Sequence, residues 1–287
     1  MTEHSTKPGR ELPPLPRAVD HATAQEIADR CARAAGDIFR AAGGLQATVS
    51  KGTTSGGRSD PVTSVDPAIE RVVTEILRAA FPDHAVLGEE TGDHAGEADW
   101  RWIIDPIDGT RNFSSGIPWT AFNLALYGQG IPRLALTYDP YHDETFYAEA
   151  GGGTSVNGAA TRVRDVARLR DAFVGIDIGL EDGRGRAILA ALHDLFPGVQ
   201  AVRIPGTVAL GLAYVAAGRL DAYLHPSPHL WDFAPGDLLV REAGGVATEI
   251  DGAPLTPRSR SIVASGPGLH AELVERFRRV VEDTETI

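Results

Sequence analysis

The chain has 287 residues, of which 43% are hydrophobic and 23% charged, a balance typical of folded globular proteins rather than disordered ones. Its 27 basic and 39 acidic residues give a net charge of −12, which argues against nucleic-acid binding through bulk positive charge. The single cysteine, Cys31, excludes an internal disulfide framework and a cysteine-based zinc site.

The first 20 residues are rich in proline and lack the apolar run of a signal peptide. We interpret residues 1–20 as a flexible N-terminal arm. The longest apolar stretch, Val208–Gly218, is about half of the ~20 residues that a membrane span needs. The sequence therefore predicts a cytoplasmic protein with no membrane partner.

Two amphipathic helices are predicted in the first part of the chain. Thr23 caps the first helix, Glu26 completes a capping box, and Cys31 lies on the apolar face as a small buried hydrophobe. The polar stretch Lys51–Asp60 is predicted to be a loop. The second helix follows with Asp66 as its N-cap.

Short strands come next along the chain. The runs Ala85–Leu87 and Trp100–Ile104 have strand character, and the second leads directly into Asp105-Pro106-Ile107-Asp108-Gly109-Thr110. The segment Ala121–Ala150 alternates strands with tight turns, which predicts antiparallel pairing, and Asn157-Gly158 marks one more turn.

Strands and helices alternate in the second half of the chain, a pattern that predicts layered sheets. The predicted strands span residues 172–178, 201–204, 220–224, 245–250 and 261–264. The predicted helices span residues 184–195, 207–217 and 268–281, and residues 231–243 contain a further helix.

Three acidic segments carry the candidate chemistry. Asp105 and Asp108 stand three residues apart after a strand, and carboxylates so close repel each other unless cations lie between them. Glu89-Glu90 follows an apolar run, and Asp232 precedes a predicted helix. Alone, each segment also fits a structural role as an acidic turn, a solvated pair or a helix cap. Together, oxygen ligands without a cysteine or histidine cluster favour Mg²⁺.

These segments carry a family resemblance. The sequence Gly88-Glu89-Glu90, the run from Trp102 to Phe113 and the run from Trp231 to Gly245 resemble the signature segments of the inositol monophosphatase family in order and spacing. The similarity extends from about Gln25 to about Val281.

The resemblance implies a layered α+β or α/β fold, the αβαβα sandwich of the inositol monophosphatase and fructose-1,6-bisphosphatase type. Residues 21–287 would form a single phosphatase domain. Its N-terminal α+β half would span residues 21–158, and its C-terminal α/β half would span residues 159–287.

By matching position, the resemblance also implies a Mg²⁺-dependent phosphomonoesterase that binds two to three ions. Glu89, Asp105 and the Ile107 carbonyl would hold one ion, and Asp105, Asp108 and Asp232 would hold a second. A third, weaker ion would lie near Glu89. Replacement of a weakly held Mg²⁺ by lithium would make the enzyme lithium-sensitive.

The candidate catalytic residues implied by the resemblance are Asp66, Glu89 and Thr110. Asp66 and Thr110 match the pair that orients the attacking water, although Asp66 also fits a plain helix cap. Gly109 and Thr110 would donate backbone N–H groups to the phosphate. The expected reaction is direct attack by a metal-activated water, with no covalent phospho-enzyme. Lys51 matches a lysine near the metal site but equally fits a solvated loop residue.

The resemblance also implies candidate substrate-binding residues from both halves of the chain. They are Asp108, Gly109, Thr110, Arg203, Gly206, Thr207, Val208 and His225. Inositol-cleaving relatives usually carry a glutamate at the position of His225. A neutral histidine can donate or accept a hydrogen bond, so another polyol or an amino-alcohol phosphate is possible. Arg203 and His229 equally fit solvated surface residues.

Inositol monophosphate is the first candidate substrate, as a small phosphorylated alcohol. Histidinol phosphate, other polyol phosphates, nucleotide 3′-phosphates and fructose bisphosphate are the alternatives, although Arg111 and Arg203 are too isolated to form a second phosphate site. A non-catalytic regulatory metal-binding protein is the alternative of another class, since bacterial members are connected with RNA-related partners. The resemblance also implies a homodimer, and the acidic charge predicts no nucleic-acid partner.

Overall fold

The computed structural model describes residues 13–43, 45–53, 56–97 and 99–284. The helices are α1 (Ala24–Ala42), α2 (Val65–Ala80), α3 (Thr110–Ser114), α4 (Asp182–Leu195), α5 (Val208–Ala216), α6 (Leu230–Glu242) and α7 (Pro267–Thr284), with a 3₁₀ turn at Leu169–Asp171.

The strands of the first half are β1 (Val49–Thr53), β2 (Ser59–Val62), β3 (Ala85–Gly88), β4 (Gly92–His94), β5 (Trp100–Asp108), β6 (Ala121–Gly128), β7 (Ile131–Asp139), β8 (Glu144–Glu149), β9 (Gly153–Val156) and β10 (Ala159–Thr161). The strands of the second half are β11 (Phe173–Ile176), β12 (Ala201–Arg203), β13 (Ala222–His225), β14 (Val246–Thr248) and β15 (Ile262–Ser265).

An eight-stranded sheet forms the centre of the first half, in the order β10-β9-β8-β7-β6-β5-β3-β4. Most neighbours are antiparallel, as the short turns predict, but β3 and β5 run parallel to each other. The carboxyl ends of β3 and β5 therefore meet at the same edge of the sheet, where parallel strands commonly present functional side chains.

A five-stranded sheet, in the order β12-β11-β13-β15-β14, forms the centre of the second half. α1 and α2 pack on one face of the first sheet, and α5 and α6 lie between its other face and the second sheet. α4 and α7 cover the outer face of the second sheet. These five layers confirm the αβαβα sandwich, with apolar residues packed between them.

The first helix begins as its sequence predicts. Thr23 accepts from the Glu26 backbone N–H at 3.1 Å, and the Glu26 carboxylate accepts from the Thr23 N–H at 2.7 Å, so the capping box is confirmed. Cys31 is fully buried in the core, and burial raises the pKa of its thiol. The cysteine therefore has the packing role that the apolar stripe predicts.

The prediction that Asp66 is the N-cap of α2 is wrong, because Ser64 occupies that position and Asp66 lies in the first turn. The Thr63 hydroxyl accepts from the Val65 N–H at 3.1 Å and so takes over part of the capping. The Asp66 carboxylate turns back and accepts from the Thr63 backbone N–H at 2.9 Å.

The stretch predicted as a loop at Lys51–Asp60 contributes to an antiparallel hairpin instead. β1 pairs with β2 from Val49 opposite Val62 to Thr53 opposite Ser59. Every residue of β1 is exposed, so the strand shows no alternation of apolar and polar residues. The hairpin brings Lys51 to the edge of the sandwich where β3 ends.

Residues 1–12 of the expected N-terminal arm lie outside the described residues. The remainder of that segment contacts the domain: the Pro13 carbonyl accepts from Arg133, Ala18 is buried, and the Val19 N–H donates to the Ala80 carbonyl at 3.0 Å. The expected boundary at residue 158 falls in the turn between β9 and β10. Although β10 follows that boundary, it is an edge strand of the first sheet.

In the part of the chain that the structure describes, no helix combines the length and the apolar character that crossing a membrane requires.

Candidate active site

The end of β5 places two aspartates of the central motif in the interior. Asp105 pairs with Asn123 of β6 and Asp108 pairs with Ala121, so the register is irregular between them and β5 bulges there. The Asp-Pro-Ile-Asp motif suggested that these aspartates lie on a loop, but both are residues of strand β5. Gly109 follows with φ of +86°, and a Cβ there would approach the Trp119 carbonyl to 2.9 Å, so only glycine fits.

The first turn of α6 brings Asp232 across from the second half of the chain. Asp232 caps that turn, because its carboxylate accepts from the His229 backbone N–H at 2.7 Å. Pro235 lacks an N–H and leaves the Trp231 carbonyl without a helical donor. The Asn123 amide donates to the Trp231 and Asp232 carbonyls at 3.3 and 3.0 Å, which fixes α6 against β6.

The carboxylates of Asp105, Asp108 and Asp232 meet at one point. Each offers an oxygen within 4.8 Å of the others. Burial raises the pKa of Asp105 and of Asp232 well above the usual aspartate value, and the neighbouring carboxylates raise both further. Asp105 Oδ1 is buried without a hydrogen-bond partner. Clustered, desolvated oxygens with an unsatisfied lone pair are what a divalent cation neutralises.

Asp108 differs from its two neighbours because the chain supplies it with donors. The Thr207 hydroxyl and the backbone N–H groups of Val208 and Ala209, at the N-terminus of α5, all point to its carboxylate. Burial raises the pKa of Asp108 to about 6, and these hydrogen bonds act in the opposite direction. Thr207 and Val208, expected as substrate contacts, therefore direct these donors to Asp108.

Glu89 lies at the end of β3, next to the aspartates but bonded to a lysine. Lys51 Nζ lies 2.6 Å from Glu89 Oε1 and 2.6 Å from Glu90 Oε1, so Lys51 is part of the site rather than a solvated loop residue. Burial raises the pKa of Glu89 to about 7, against the opposing effect of Lys51. The Lys51 ammonium therefore places a positive charge beside the carboxylate cluster.

Asp66 and Thr110 form a second polar pair near the cluster. Thr110 Oγ1 lies 3.2 Å from Asp66 Oδ1 and 2.9 Å from the Ile107 carbonyl. Burial raises the pKa of Asp66, and hydrogen bonds from Thr63 oppose the shift. The geometry brings together the two residues that the sequence predicts to handle the attacking water.

A cavity of about 530 Å³ opens over these groups, between the two halves of the chain. Its lining includes Lys51, Glu89, Asp105, Ile107, Asp108, Gly109, Thr110, Gly206, Thr207, Val208, His225, His229 and Asp232. Arg203 is not in the lining: its side chain is exposed, and its guanidinium donates to the Val202 carbonyl at 2.9 Å. Arg203 is the last residue of the edge strand β12, and its side chain faces solvent. The next residue, Ile204, borders the cavity instead.

His225 lines the cavity from the end of β13. It is 8% exposed, and burial lowers its pKa to about 3, so the ring is neutral. Nδ1 accepts from the Ser227 backbone N–H at 3.2 Å, which leaves the proton on Nε2. A Cβ at Gly179 would lie 3.2 Å from the Cε1 atom of His225, so the glycine leaves room beside the ring.

Three residues that support the site were not identified from the sequence. Asn123 braces α6, and Asp177 accepts from the Gly206 N–H at 2.9 Å and from the Tyr223 hydroxyl at 2.8 Å. Glu70 is fully buried beneath the turn after β3. For Glu70 a signal was available, because a glutamate one turn after Asp66 on the same helix face is unusual for a buried stripe.

Comparison with known proteins gives a consistent result. The model of the inositol monophosphatase family matches residues 20–282. The Nus factor SuhB of Pasteurella multocida is 34% identical over 259 residues, which cover 90% of this chain and 96% of that protein. The probable inositol 1-monophosphatase ImpA of Mycobacterium tuberculosis is 40% identical over 221 residues, 76% of this chain and 82% of that protein. The crystal structure of the extragenic suppressor protein suhB from Bartonella henselae superposes with a TM-score of 0.83 at 33% identity, covering 89% of this chain and 98% of the other.

Proposed function

Since the chain belongs to the inositol monophosphatase family, we propose that it hydrolyses a small phosphate monoester with the help of Mg²⁺. The observation that carries the proposal is the convergence of Asp105, Asp108 and Asp232, with an unpartnered oxygen on Asp105, beside the Asp66–Thr110 pair. Two buried carboxylates and a half-buried third within this distance are destabilising unless a cation lies between them.

The residues present fit divalent cations. Asp105, Asp108 and Asp232 would hold one ion, and Glu89, Asp105 and the Ile107 carbonyl a second, with a third, weaker ion near Glu89. When bound, Mg²⁺ neutralises phosphate oxygens, lowers the pKa of a coordinated water and stabilises the leaving alkoxide. Asp108 already has its donors from α5, so its carboxylate is held in one orientation before any ion arrives.

Thr110 and Asp66 would orient the attacking water. Thr110 lines the cavity, and Asp66 lies behind it within hydrogen-bond distance. A water that donates to Thr110 Oγ1 can pass its proton on to Asp66 as the new oxygen–phosphorus bond forms and the bond to the leaving oxygen breaks. Gly109 and Thr110 would supply backbone N–H groups to the phosphate, and no covalent phospho-enzyme is required.

For the substrate, we propose a phosphorylated polyol, with inositol monophosphate as the first candidate. His225 supports this choice, because a neutral ring with its proton on Nε2 donates to a hydroxyl oxygen but has no acceptor for an ammonium. Histidinol phosphate, which carries an ammonium, is the alternative that this geometry disfavours. The name of the ImpA relative, at 40% identity, points in the same direction.

Phosphate release tests the proposal directly. Wild-type protein should liberate inorganic phosphate from inositol monophosphate when Mg²⁺ is added and should stop when a chelator removes it. Asp105→Asn should be inactive under the same conditions. If wild type releases no phosphate from any monoester at any Mg²⁺ concentration, the enzymatic proposal is wrong.

The relatives named Nus factor SuhB favour a second candidate role, in binding a partner. This role does not need hydrolysis, so the phosphate-release assay distinguishes the two proposals. A wild-type protein that binds Mn²⁺ yet releases no phosphate would support the binding role alone. An active wild type shows that at least the enzymatic role exists.

A further inference from the structure

Glu70 is a buried carboxylate that the proposed reaction does not use. It lies one turn after Asp66 on α2 and has no exposed surface. Its two oxygens accept hydrogen bonds from the backbone N–H groups of Glu90 and Thr91, each at 2.8 Å, and from the Thr91 hydroxyl. A carboxylate that accepts three donors from one turn holds that turn firmly, because each buried donor would otherwise be unsatisfied.

The turn packs directly on Glu70. A Cβ at Gly88 would lie 2.2 Å from Glu70 Oε1, so only glycine allows this approach. The Glu89 N–H continues the parallel ladder by donating to the Ile104 carbonyl at 3.2 Å. Every backbone N–H from Glu89 to Thr91 is thus bonded to a fixed partner.

The two glutamate side chains on this turn face away from Glu70. Glu89 and Glu90 both extend to the Lys51 ammonium, and Glu89 lines the cavity beside Asp105. The backbone that Glu70 holds is therefore the base from which the cation-facing carboxylates project. A shift of this turn would move Glu89 relative to Asp105 and leave the three aspartates in place.

We propose that Glu70 is a positioning residue that sets the affinity for divalent cations on the Glu89 side of the site. It acts through the Glu89–Thr91 backbone and touches neither ions nor substrate. This inference rests on the proposed function, because it assumes that Glu89 helps to hold a cation. Groups that orient metal ligands from behind commonly change metal affinity by about 10- to 100-fold when removed.

The test compares Glu70→Gln with Glu75→Gln, measured by isothermal titration calorimetry with Mn²⁺. Both variants replace a glutamate of α2 with glutamine, but Glu75 is exposed, whereas Glu70 is buried against the turn. Glu70→Gln replaces one acceptor oxygen with an amide donor that opposes a backbone N–H. We expect its Mn²⁺ dissociation constant to rise about tenfold, with Glu75→Gln changed by less than about twofold.

Thermal unfolding supplies a second readout. The stabilisation that Mn²⁺ gives to wild type should shrink in Glu70→Gln and stay whole in Glu75→Gln, since stabilisation by a ligand follows its affinity. A role in stability alone would lower the melting temperature equally with and without Mn²⁺, and that result would overturn the inference.

If Glu70→Gln does not fold, Thr91→Val removes one of the three donors with less disturbance. Its Mn²⁺ affinity should fall about threefold, and an unchanged affinity would overturn the inference. A wild type that binds no Mn²⁺ would overturn the proposed function as well. Wild-type binding with equal binding by Glu70→Gln would overturn only the role of Glu70.

Discussion

The two halves of the chain contribute different chemistry to the same cavity. The first half supplies Glu89, Asp105 and Asp108 from adjacent strand ends, and these face the cation side. The second half supplies Asp232 to that cluster and also lines the cavity with Asp177, whose carboxylate is hydrogen-bonded to the Gly206 N–H and the Tyr223 hydroxyl. Other lining residues of the second half, such as Ile204 and His225, carry no charge. We call Glu89, Asp105, Asp108 and Asp232 the carboxylate wall, and Ile204 and His225 the neutral wall. The carboxylate wall would perform hydrolysis on any phosphate monoester, whereas the neutral wall would select the alcohol.

A second difference lies within the acidic cluster. Asp108 receives donors from the N-terminus of α5, whereas Asp105 has an oxygen with no partner. The chain thus stabilises one carboxylate by itself and leaves the other for a cation. Asp105 should therefore be the residue on which metal binding depends most.

The largest expected effect is that of Asp105→Asn. Loss of the shared ligand should reduce kcat/KM by about 10³-fold for every phosphate monoester, equivalent to roughly 4 kcal/mol of transition-state stabilisation. Without metal, the variant should melt at or above the wild-type temperature, because one of several repelling carboxylates is gone. Initial rates on several substrates and thermal scans check this. Retained activity would contradict the division between the two walls.

Thr110→Val should have the next largest effect. It removes the hydroxyl between Asp66 and the cavity without changing shape, so kcat should fall about 10²-fold on all substrates. Mn²⁺ affinity by calorimetry should stay within about threefold of wild type, because the cation-facing carboxylates are untouched. A variant that loses cation binding would show that Thr110 is structural.

Thr207→Val tests the contribution of the second half to the acidic cluster. The substitution leaves buried Asp108 with one donor fewer and removes the N-cap of α5, whose hydroxyl accepts from the Leu210 N–H. The free energy of unfolding in urea should fall by about 2 kcal/mol. Thr154→Val is a matched control, since its buried hydroxyl donates only to the Leu239 carbonyl. If both variants lose the same free energy of unfolding, the hydrogen bond from Thr207 does not specifically stabilise Asp108.

The smallest expected effect is a change in preference from His225→Glu. Two matched substrates, 2-hydroxyethyl phosphate and 2-aminoethyl phosphate, differ only in a hydroxyl or an ammonium. Replacing a donor with an acceptor should shift the ratio of their kcat/KM values about tenfold toward the amine. An unchanged ratio would show that His225 does not select the substrate.

The sequence predicted the carboxylate wall better than the neutral wall. Glu89, Asp105, Asp108 and Asp232 stand in long motifs whose order and spacing are distinctive, and the structure brings all four to one cavity. Arg203 was expected there because its segment matches the family segment that faces the substrate, although it equally fitted a solvated arginine at a strand-to-helix turn. Local sequence does not specify which side of an edge strand faces the cavity, and Ile204 lies there instead.

Most of the longer strands and helices with a buried face were predicted. β1 and β2 were not, because their residues are exposed or only partly buried. The supporting residues Glu70 and Asn123 were also missed, since their partners are backbone groups 20 and 109 positions away, respectively. Contacts of this kind follow from the tertiary arrangement, and the only local sign of them is the glutamate at position 70 on the buried face of α2.

The most direct test of the central claim is a crystal structure of the protein with Mn²⁺, located by its anomalous scattering. We expect peaks bound by the carboxylates of Asp105, Asp108 and Asp232, with a further peak beside Glu89 and Asp105. A map from crystals with saturating Mn²⁺ that shows no peak in this cavity, or shows one only elsewhere, would contradict the account.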